Sequence, residues 1–334
     1  MRRCSKTSII KTTSVLLVFV CFTVIFELIS SRCVFETKVL KERLPNRTLY
    51  HEILFRHVEL LNFTSPSIHE DTKVIVVVCT KPNDFRVRNT IRRTWASPHH
   101  SNAIQEKIFT VMFLLGAGYL TGPIKQEMST YKDILQVDVE DSYSNLIYKM
   151  LAVYRWIAAN HPDKYVLKVD SDVVVLLDKV KEIVSDPTER SIKCLVNHHA
   201  PVQRNISHRW YIPESAYSKH YLPDYCNGPL YLMTPAALKS VLDVILNAKF
   251  FEVEDAFFTG VLAEIAGVRV QNQRGIWDRQ KSSQPCVGGK GTVIGFPTHS
   301  AGGVLDLVKS WDHLRSIRCR FPIEHFIMSL IVRD

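Results

Sequence analysis

Cysteine pairs of the C-x-x-C type are missing from this chain, and no Cys/His cluster has the spacing of a zinc site. That excludes the common structural zinc modules. No dense Lys/Arg stripe with interleaved aromatics is present either, and the pair Arg92-Arg93 is too short to make one, so the net charge of +9 is not the footprint of a nucleic-acid binder. Internal repeats and low-complexity tracts are absent. Long apolar runs are scarce, and the one that stands out covers residues 12–29, broken only by Glu27 near its end.

Arg2, Arg3, Lys6 and Lys11 precede that run, and the flank after it is less basic. About 18 apolar residues is the short end of what crosses a bilayer, and early-secretory membranes are thin. The positive flank is expected to stay cytosolic, which places the C-terminal bulk in the lumen. A cleaved leader competes with this reading through Ser30-Ser31, but the run is long for a leader and no clear small-x-small site follows it. The sequons at Asn46, Asn62 and Asn205 agree with a lumenal, glycosylated body. The expected organisation is a cytosolic tail (1–11), a single transmembrane anchor (12–29), a polar stem (30–70) with a helical patch near 51–61, and a globular domain (71–334). Outside tail and anchor, six cysteines remain, and a lumenal address permits disulfides.

Within the globular part, residues 74–78 are a β-branched, wholly apolar run, as in a strand buried on both faces. Residues 86–94, 123–131 and 144–159 read as helices, and 108–115, 134–137 and 165–169 as strands. This alternation predicts an α/β domain with a mainly parallel sheet flanked by helices. In such sheets ligands lie beyond the carboxyl ends of strands. There the chain puts Asp170 and Asp172, one residue apart after an apolar strand. Aspartate is a poor strand former and is seldom buried without a partner. Two of them suit a hard divalent cation such as magnesium or manganese; the alternative is a pair of solvated turn aspartates.

Other segments join this one in a recognisable order. They are Arg88-Asn89-Thr90-Ile91-Arg92-Arg93-Thr94-Trp95, Phe113-Leu114-Leu115-Gly116, Asp133-Ile134-Leu135-Gln136 and Asp141-Ser142-Tyr143-Ser144-Asn145-Leu146. Tyr225-Cys226-Asn227-Gly228 and Glu254-Asp255-Ala256 follow the Asp-x-Asp. In order and spacing the set resembles the β-1,3-galactosyltransferase and β-1,3-N-acetylglucosaminyltransferase family (glycosyltransferase family 31), over about residues 73–319. Val87, Ile147 and Met150 depart from the family pattern, as do Asn227 and Ala256.

The resemblance implies a GT-A-like (Rossmann-like) domain in a type II, single-pass Golgi membrane protein. It implies transfer of galactose from UDP-galactose to the 3-hydroxyl of an acceptor sugar on a glycoprotein or glycolipid, with manganese or another divalent cation. N-acetylglucosamine is the rival donor sugar, and a non-catalytic sugar-binding protein of the same fold is the rival class. Asp170 and Asp172 would hold the metal, Asp170 also serving the donor, with His299 as a further ligand. Asp255 would be the general base; from the residues alone the acidic pair could equally cap the next helix, a task open to Glu254 as well. Arg88 and Arg92 lie one turn apart and share a face, which the resemblance turns toward the donor diphosphate. Gly228 would let a loop approach the donor closely. Asp141 and Ser142 are expected to cap the helix that follows, and Lys149 to meet a carboxylate or phosphate. Trp95 is expected in the core. Trp210, Tyr211, Tyr217 and Tyr221 are either core or a sugar-stacking face. Cys286–Cys319 is a bond the resemblance implies, while Cys226 could pair with Cys194 or stay free. UDP-sugar, a glycan acceptor and the membrane are the expected partners, nucleic acid is not one, and a second copy of the chain is left open.

Overall fold

The computed structural model describes residues 60–61, 66–117, 122–277, 285–287, 290–298 and 303–319. The expected tail, anchor and most of the stem, with Asn46, Asn62 and His299, lie outside the described residues. Among the described residues no helix is long and apolar enough to cross a membrane.

In chain order the strands are β1 (Leu60–Leu61), β2 (Val74–Cys79), β3 (Phe109–Ala117), β4 (Ile134–Glu140), β5 (Tyr165–Asp170), β6 (Val173–Val175), β7 (Ser191–Asn197), β8 (Tyr225–Met233), β9 (Arg269–Asn272), β10 (Cys286–Val287), β11 (Lys290–Gly291) and β12 (Gly295–Pro297). The helices are α1 (Phe85–Arg93), α2 (Asn102–Gln105), α3 (Gly122–Tyr131), α4 (Leu146–Asn160), α5 (Leu177–Ile183), α6 (Pro235–Asp243), α7 (Leu262–Ala266) and α8 (Val304–Ser316). A π-helical turn, Ala256–Val261, leads into α7.

Eight strands form one sheet in the order β1-β4-β3-β2-β5-β8-β7-β9. The centre, β4-β3-β2-β5, is parallel, and β8 runs antiparallel between β5 and β7. The predicted α/β sheet is therefore present, with a mixed edge. Strand β2 is buried along its whole length, which is why its sequence does not alternate. Ile91 from α1 and Trp95 from the turn after it pack onto the same core, as expected for Trp95.

Three local expectations need correction. Residues 60–61, read as part of a stem helix, pair antiparallel with β4 and give the sheet an edge strand. Helix α4 starts at Leu146, and Asp141 does not cap it. Instead the Asp141 carboxylate accepts the Gly116 N–H at 2.9 Å and pairs with Lys149 at 3.1 Å. A Cβ at Gly116 would lie 2.8 Å from the Asp141 backbone, so glycine is required where β3 meets this turn. Tyr225-Cys226-Asn227-Gly228 is the start of β8 rather than a loop. Disulfides join Cys286 to Cys319 and Cys194 to Cys226, while Cys79 is free and buried.

Candidate active site

Parallel strands end on one edge of the sheet, and β2 and β5 finish together there, with Cys79 opposite Asp170. Asp170 is the last residue of β5. Asp172 lies in the short turn to β6, where its carbonyl accepts the Thr298 N–H at 2.6 Å. The turn is therefore tied to β12, which pairs with β6. Burial within the turn and the neighbouring Asp170 carboxylate push the Asp172 pKa up.

Two residues before Asp170, on the same face of the strand, Lys168 is buried to 1% exposure. Its ammonium donates to Asp170 Oδ1 at 2.6 Å and to the Gly228 carbonyl at 2.5 Å, and Glu254 Oε2 lies 3.9 Å away. Burial works against the Lys168 charge, but Asp170 and Glu254 outweigh it and hold its pKa well above the ordinary lysine value.

The Gly228 end of this contact leads to Asp255. A Cβ on Gly228 would lie 2.8 Å from Asp255 Oδ2, so only glycine lets β8 approach that carboxylate. The Ala256 N–H reaches Asp255 Oδ1 at 2.8 Å. Thr259 fastens the segment from below: its hydroxyl donates to the Asp255 carbonyl at 2.6 Å and accepts the Cys226 N–H at 2.9 Å. Burial raises the Asp255 pKa and the Asp170 charge adds to the rise, while Ala256, Lys168 and Gly228 oppose it. Asp170 thus acts electrostatically on both Asp172 and Asp255, which places the acidic turn and Asp255 in one neighbourhood.

Of the two acids, Asp255 and not Glu254 takes the capping contact, at the head of the π-helical turn. Glu254 is buried and accepts from Tyr231 Oη at 2.6 Å, and that phenol meets Tyr154 Oη at 2.5 Å. Burial drives the Glu254 pKa up to about 7, partly restrained by Lys168. Lys168, Tyr231 and Tyr154 were not legible as site residues. The only signal was the lysine itself, a charge inside an otherwise apolar strand.

On the open side stands Trp210, 43% exposed, whose Nε1 donates to Tyr143 Oη at 2.8 Å; Tyr143 is 50% exposed. The Arg209 guanidinium lies over both rings, 4.5 Å from the Trp210 centroid and 5.4 Å from that of Tyr143. The Asp255 charge helps raise the Tyr143 phenol pKa, which partial burial raises first. Burial and Asp255 push Tyr225 up to about 12. Trp210 and Tyr143 therefore form an exposed aromatic wall within electrostatic reach of Asp255. Tyr217 and Tyr221 lie apart from this pair: Tyr217 packs on Phe251 and Tyr221 stacks on His199. Asn205, the one described sequon, is exposed on the Trp210 loop.

The arginines expected at the donor are engaged by carboxylates of the fold. Arg88 is fully buried and binds Glu127 through Nε at 2.8 Å and Nη2 at 2.6 Å. Its remaining N–H groups meet the carbonyls of Lys81 (2.5 Å) and Pro82 (3.0 Å) and Thr80 Oγ1 (3.5 Å). Arg92 forks onto Asp133 at 2.8 Å, pairs with Glu127 at 2.8 Å, and lies over Tyr131. Arg88 has no donor left for a diphosphate, and the Arg92 guanidinium is committed to Asp133 and Glu127, its buried Nη1 making an ion pair but no hydrogen bond. Arg88 instead fastens the loop that leaves β2 at the edge of the acidic turn. Arg92 lines a cavity of about 700 Å³ with His69, Lys107, Phe109 and Asp133.

As a cation site the acidic turn offers oxygen donors only, the chemistry that suits magnesium or manganese. Asp170 Oδ1 is taken by Lys168, and no third carboxylate, imidazole or thiolate joins the turn among the described residues. The residues fit a hard cation that fills its other positions with phosphate and water oxygens.

Residues 86–274 match the family model described as Galactosyltransferase. The chain is 27% identical over 217 residues to β-1,3-galactosyltransferase bre-2 of Caenorhabditis elegans, covering 61% of this chain and 60% of that protein. It is 30% identical over 192 residues to β-1,3-galactosyltransferase 1 of Homo sapiens, covering 55% and 58%. The chain thus spans less than two thirds of the length of these curated relatives. Among solved structures it is similar to the galactosyltransferase LgtC in complex with donor and acceptor sugar analogues, at 11% identity and a TM-score of 0.39, over 73% of this chain and 97% of that one. With more than half of its length inside the family model, and with the acidic turn and Asp255 set in one neighbourhood, the chain belongs to the galactosyltransferase family.

Proposed function

We propose that the protein is an inverting hexosyltransferase that moves galactose from UDP-galactose to the 3-hydroxyl of an acceptor sugar on a glycoprotein or glycolipid. The observation that carries this reading is the convergence of Asp170 and Asp255 on Lys168 and Gly228, a strand-end acidic turn on one side and a separate carboxylate on the other. Asp170 and Asp172 would hold manganese or a similar cation, which when bound supplies positive charge against the charge gathering on the leaving diphosphate. Asp255, with its raised pKa, takes the proton of the acceptor hydroxyl. The new bond from that oxygen to the anomeric carbon forms as the bond from the anomeric carbon to the diphosphate oxygen breaks. UDP leaves, and an α-linked donor gives a β-linkage. The Trp210–Tyr143 wall, within electrostatic reach of Asp255, would receive the acceptor ring, its C–H face against the indole. The likeness to β-1,3-galactosyltransferases supports the donor and the linkage. The apolar run at 12–29 and the sequons support a type II, single-pass Golgi protein with its catalytic domain in the lumen.

The test is a screen of each uridine-linked sugar against β-galactosyl, N-acetylhexosaminyl and mannosyl acceptors, with and without manganese. Galactose transfer to O3 that stops when the cation is chelated is the expected result. Preferred use of UDP-N-acetylglucosamine would move the reading to the sister activity, and UDP binding without turnover on any pair would sink it.

A further inference from the structure

Lysine is almost never fully buried unless its charge is needed where it sits. Lys168 is inside the sheet, and its two short contacts go to different halves of the site. One is to the strand-end carboxylate of Asp170, the other to the backbone of Gly228. Gly228 is held by Lys168 through its carbonyl and lies directly against Asp255, whose Oδ2 would be 2.8 Å from a Cβ placed there. We propose that Lys168 is a positioning residue that fixes the spacing between the acidic turn and the Asp255 segment, and that it does so for the donor-binding reading given above.

The geometry separates this role from simple charge balance. A lysine present only to neutralise the buried carboxylates would sit as close to Glu254 as to Asp170. Here Glu254 stands at 3.9 Å and is hydrogen-bonded by Tyr231, which is backed by Tyr154. That carboxylate props the lysine from behind, and the 2.5 and 2.6 Å contacts set its direction. On the Asp170 side, the bond to Oδ1 fixes the rotation of the carboxylate. Outer hydrogen bonds of this type commonly orient a ligating group. On the Gly228 side, the bond fixes the peptide against which Asp255 is packed. Without Lys168 each half keeps its own anchors, Thr298 for the turn and Ala256 and Thr259 for the base. What is lost is their registration.

Lys168→Met alone would leave buried carboxylates without a countercharge, so the decisive variant is Lys168→Met with Glu254→Gln, which removes one charge of each sign. Glu254→Gln alone is the control, since it keeps both short lysine contacts. Melting temperature, UDP affinity in manganese by calorimetry, and kcat and KM for donor and acceptor are measured on the full chain. The expected result is a folded double variant with UDP affinity and kcat each down about 10–100-fold, the usual effect of losing an outer partner of a ligating group. The control should lie far closer to the wild type. A folded double variant that matches the control in affinity and kcat would show that Lys168 only balances charge. Should it not fold, Lys168→Gln with Glu254→Gln replaces it, and failure of both to fold assigns the lysine to stability and overturns the proposal. The affinity arm needs no turnover. Wild-type protein that binds UDP yet transfers no sugar would thus refute the functional reading while leaving the positioning role open to the same comparison.

Discussion

Among the described residues, two clusters of charge differ in their balance. In the first, Arg88 and Arg92 face Glu127 and Asp133, two cations to two carboxylates, with every donor of Arg88 engaged. In the second, Lys168 faces Asp170 and Glu254, with Asp172 and Asp255 close by, one cation to four carboxylates. The first cluster is closed and needs nothing more. The second carries surplus negative charge, and burial first, with neighbouring carboxylates adding to it, raises the pKa values of Asp172, Glu254 and Asp255. Closed clusters hold folds together. An open one, at the strand edge where α/β sheets bind ligands, is suited to a cation and a proton. The pair shows why a functional reading should rest on unbalanced charge and not on charge alone.

The comparison is broken most directly at Asp255. If the open cluster is the reactive one, Asp255→Asn should lower kcat about 10²–10⁴-fold, the usual contribution of a general base. UDP affinity measured by calorimetry should stay within a small factor of the wild type. An Asp255→Asn protein with unchanged kcat would return Asp255 to a capping role.

The closed cluster should respond in stability instead. Arg88→Met leaves Glu127 buried without its main partner, and breaking a buried pair from one side costs about 3–5 kcal/mol. Denaturant melts should show that loss. At a temperature where the variant is still folded, its KM for the nucleotide sugar should change little, because no Arg88 donor is available to a ligand. A large rise in donor KM without loss of stability would restore the arginine to the donor site.

This contrast also bears on what could be read in the sequence. Continuous apolar runs such as 74–78, and the strand–helix alternation, gave the parallel centre of the sheet, because burial on both faces is written in consecutive residues. The acidic turn stood out because aspartates at the end of an apolar strand are unusual, whereas Asp255 was singled out by family likeness and not by its local sequence. Arg88 and Arg92 misled, since one-turn spacing shows a shared face but not what that face meets. Glu127 and Asp133, 39 and 41 residues away, decide that. Which of Glu254 and Asp255 caps the turn was hidden for a like reason: adjacent residues look equivalent until a π turn and Tyr231 separate them.

A pH series sharpens the open cluster further. The Glu254 pKa rises from the 4.5 of a free glutamate to about 7 in the fold. Between those values the folded state binds the proton that the unfolded state has released, so stability should fall as pH climbs from about 4.5 to about 7. A shift of this size corresponds to on the order of 3 kcal/mol. Glu254→Gln, which cannot titrate, should flatten that segment of the stability–pH curve when melts are taken at several pH values. An identical slope in the variant would mean that the surplus charge is relieved elsewhere.

The smallest effect belongs to the aromatic wall, where neither cluster contributes a contact. Trp210 holds Tyr143 by one hydrogen bond, and both rings are substantially exposed, so Trp210→Ala leaves the core intact. Loss of a stacking face is worth about 0.5–1.5 kcal/mol, which predicts an acceptor KM raised by roughly 2- to 12-fold. Donor KM and melting temperature should hold, because Lys168 and the Gly228–Asp255 contacts are untouched. Tyr143→Phe keeps the ring and removes only the bond to Nε1, so its acceptor KM should rise less. If instead the two variants raise donor KM and spare the acceptor, the wall belongs to the nucleotide-sugar side, and the acceptor must approach Asp255 from elsewhere.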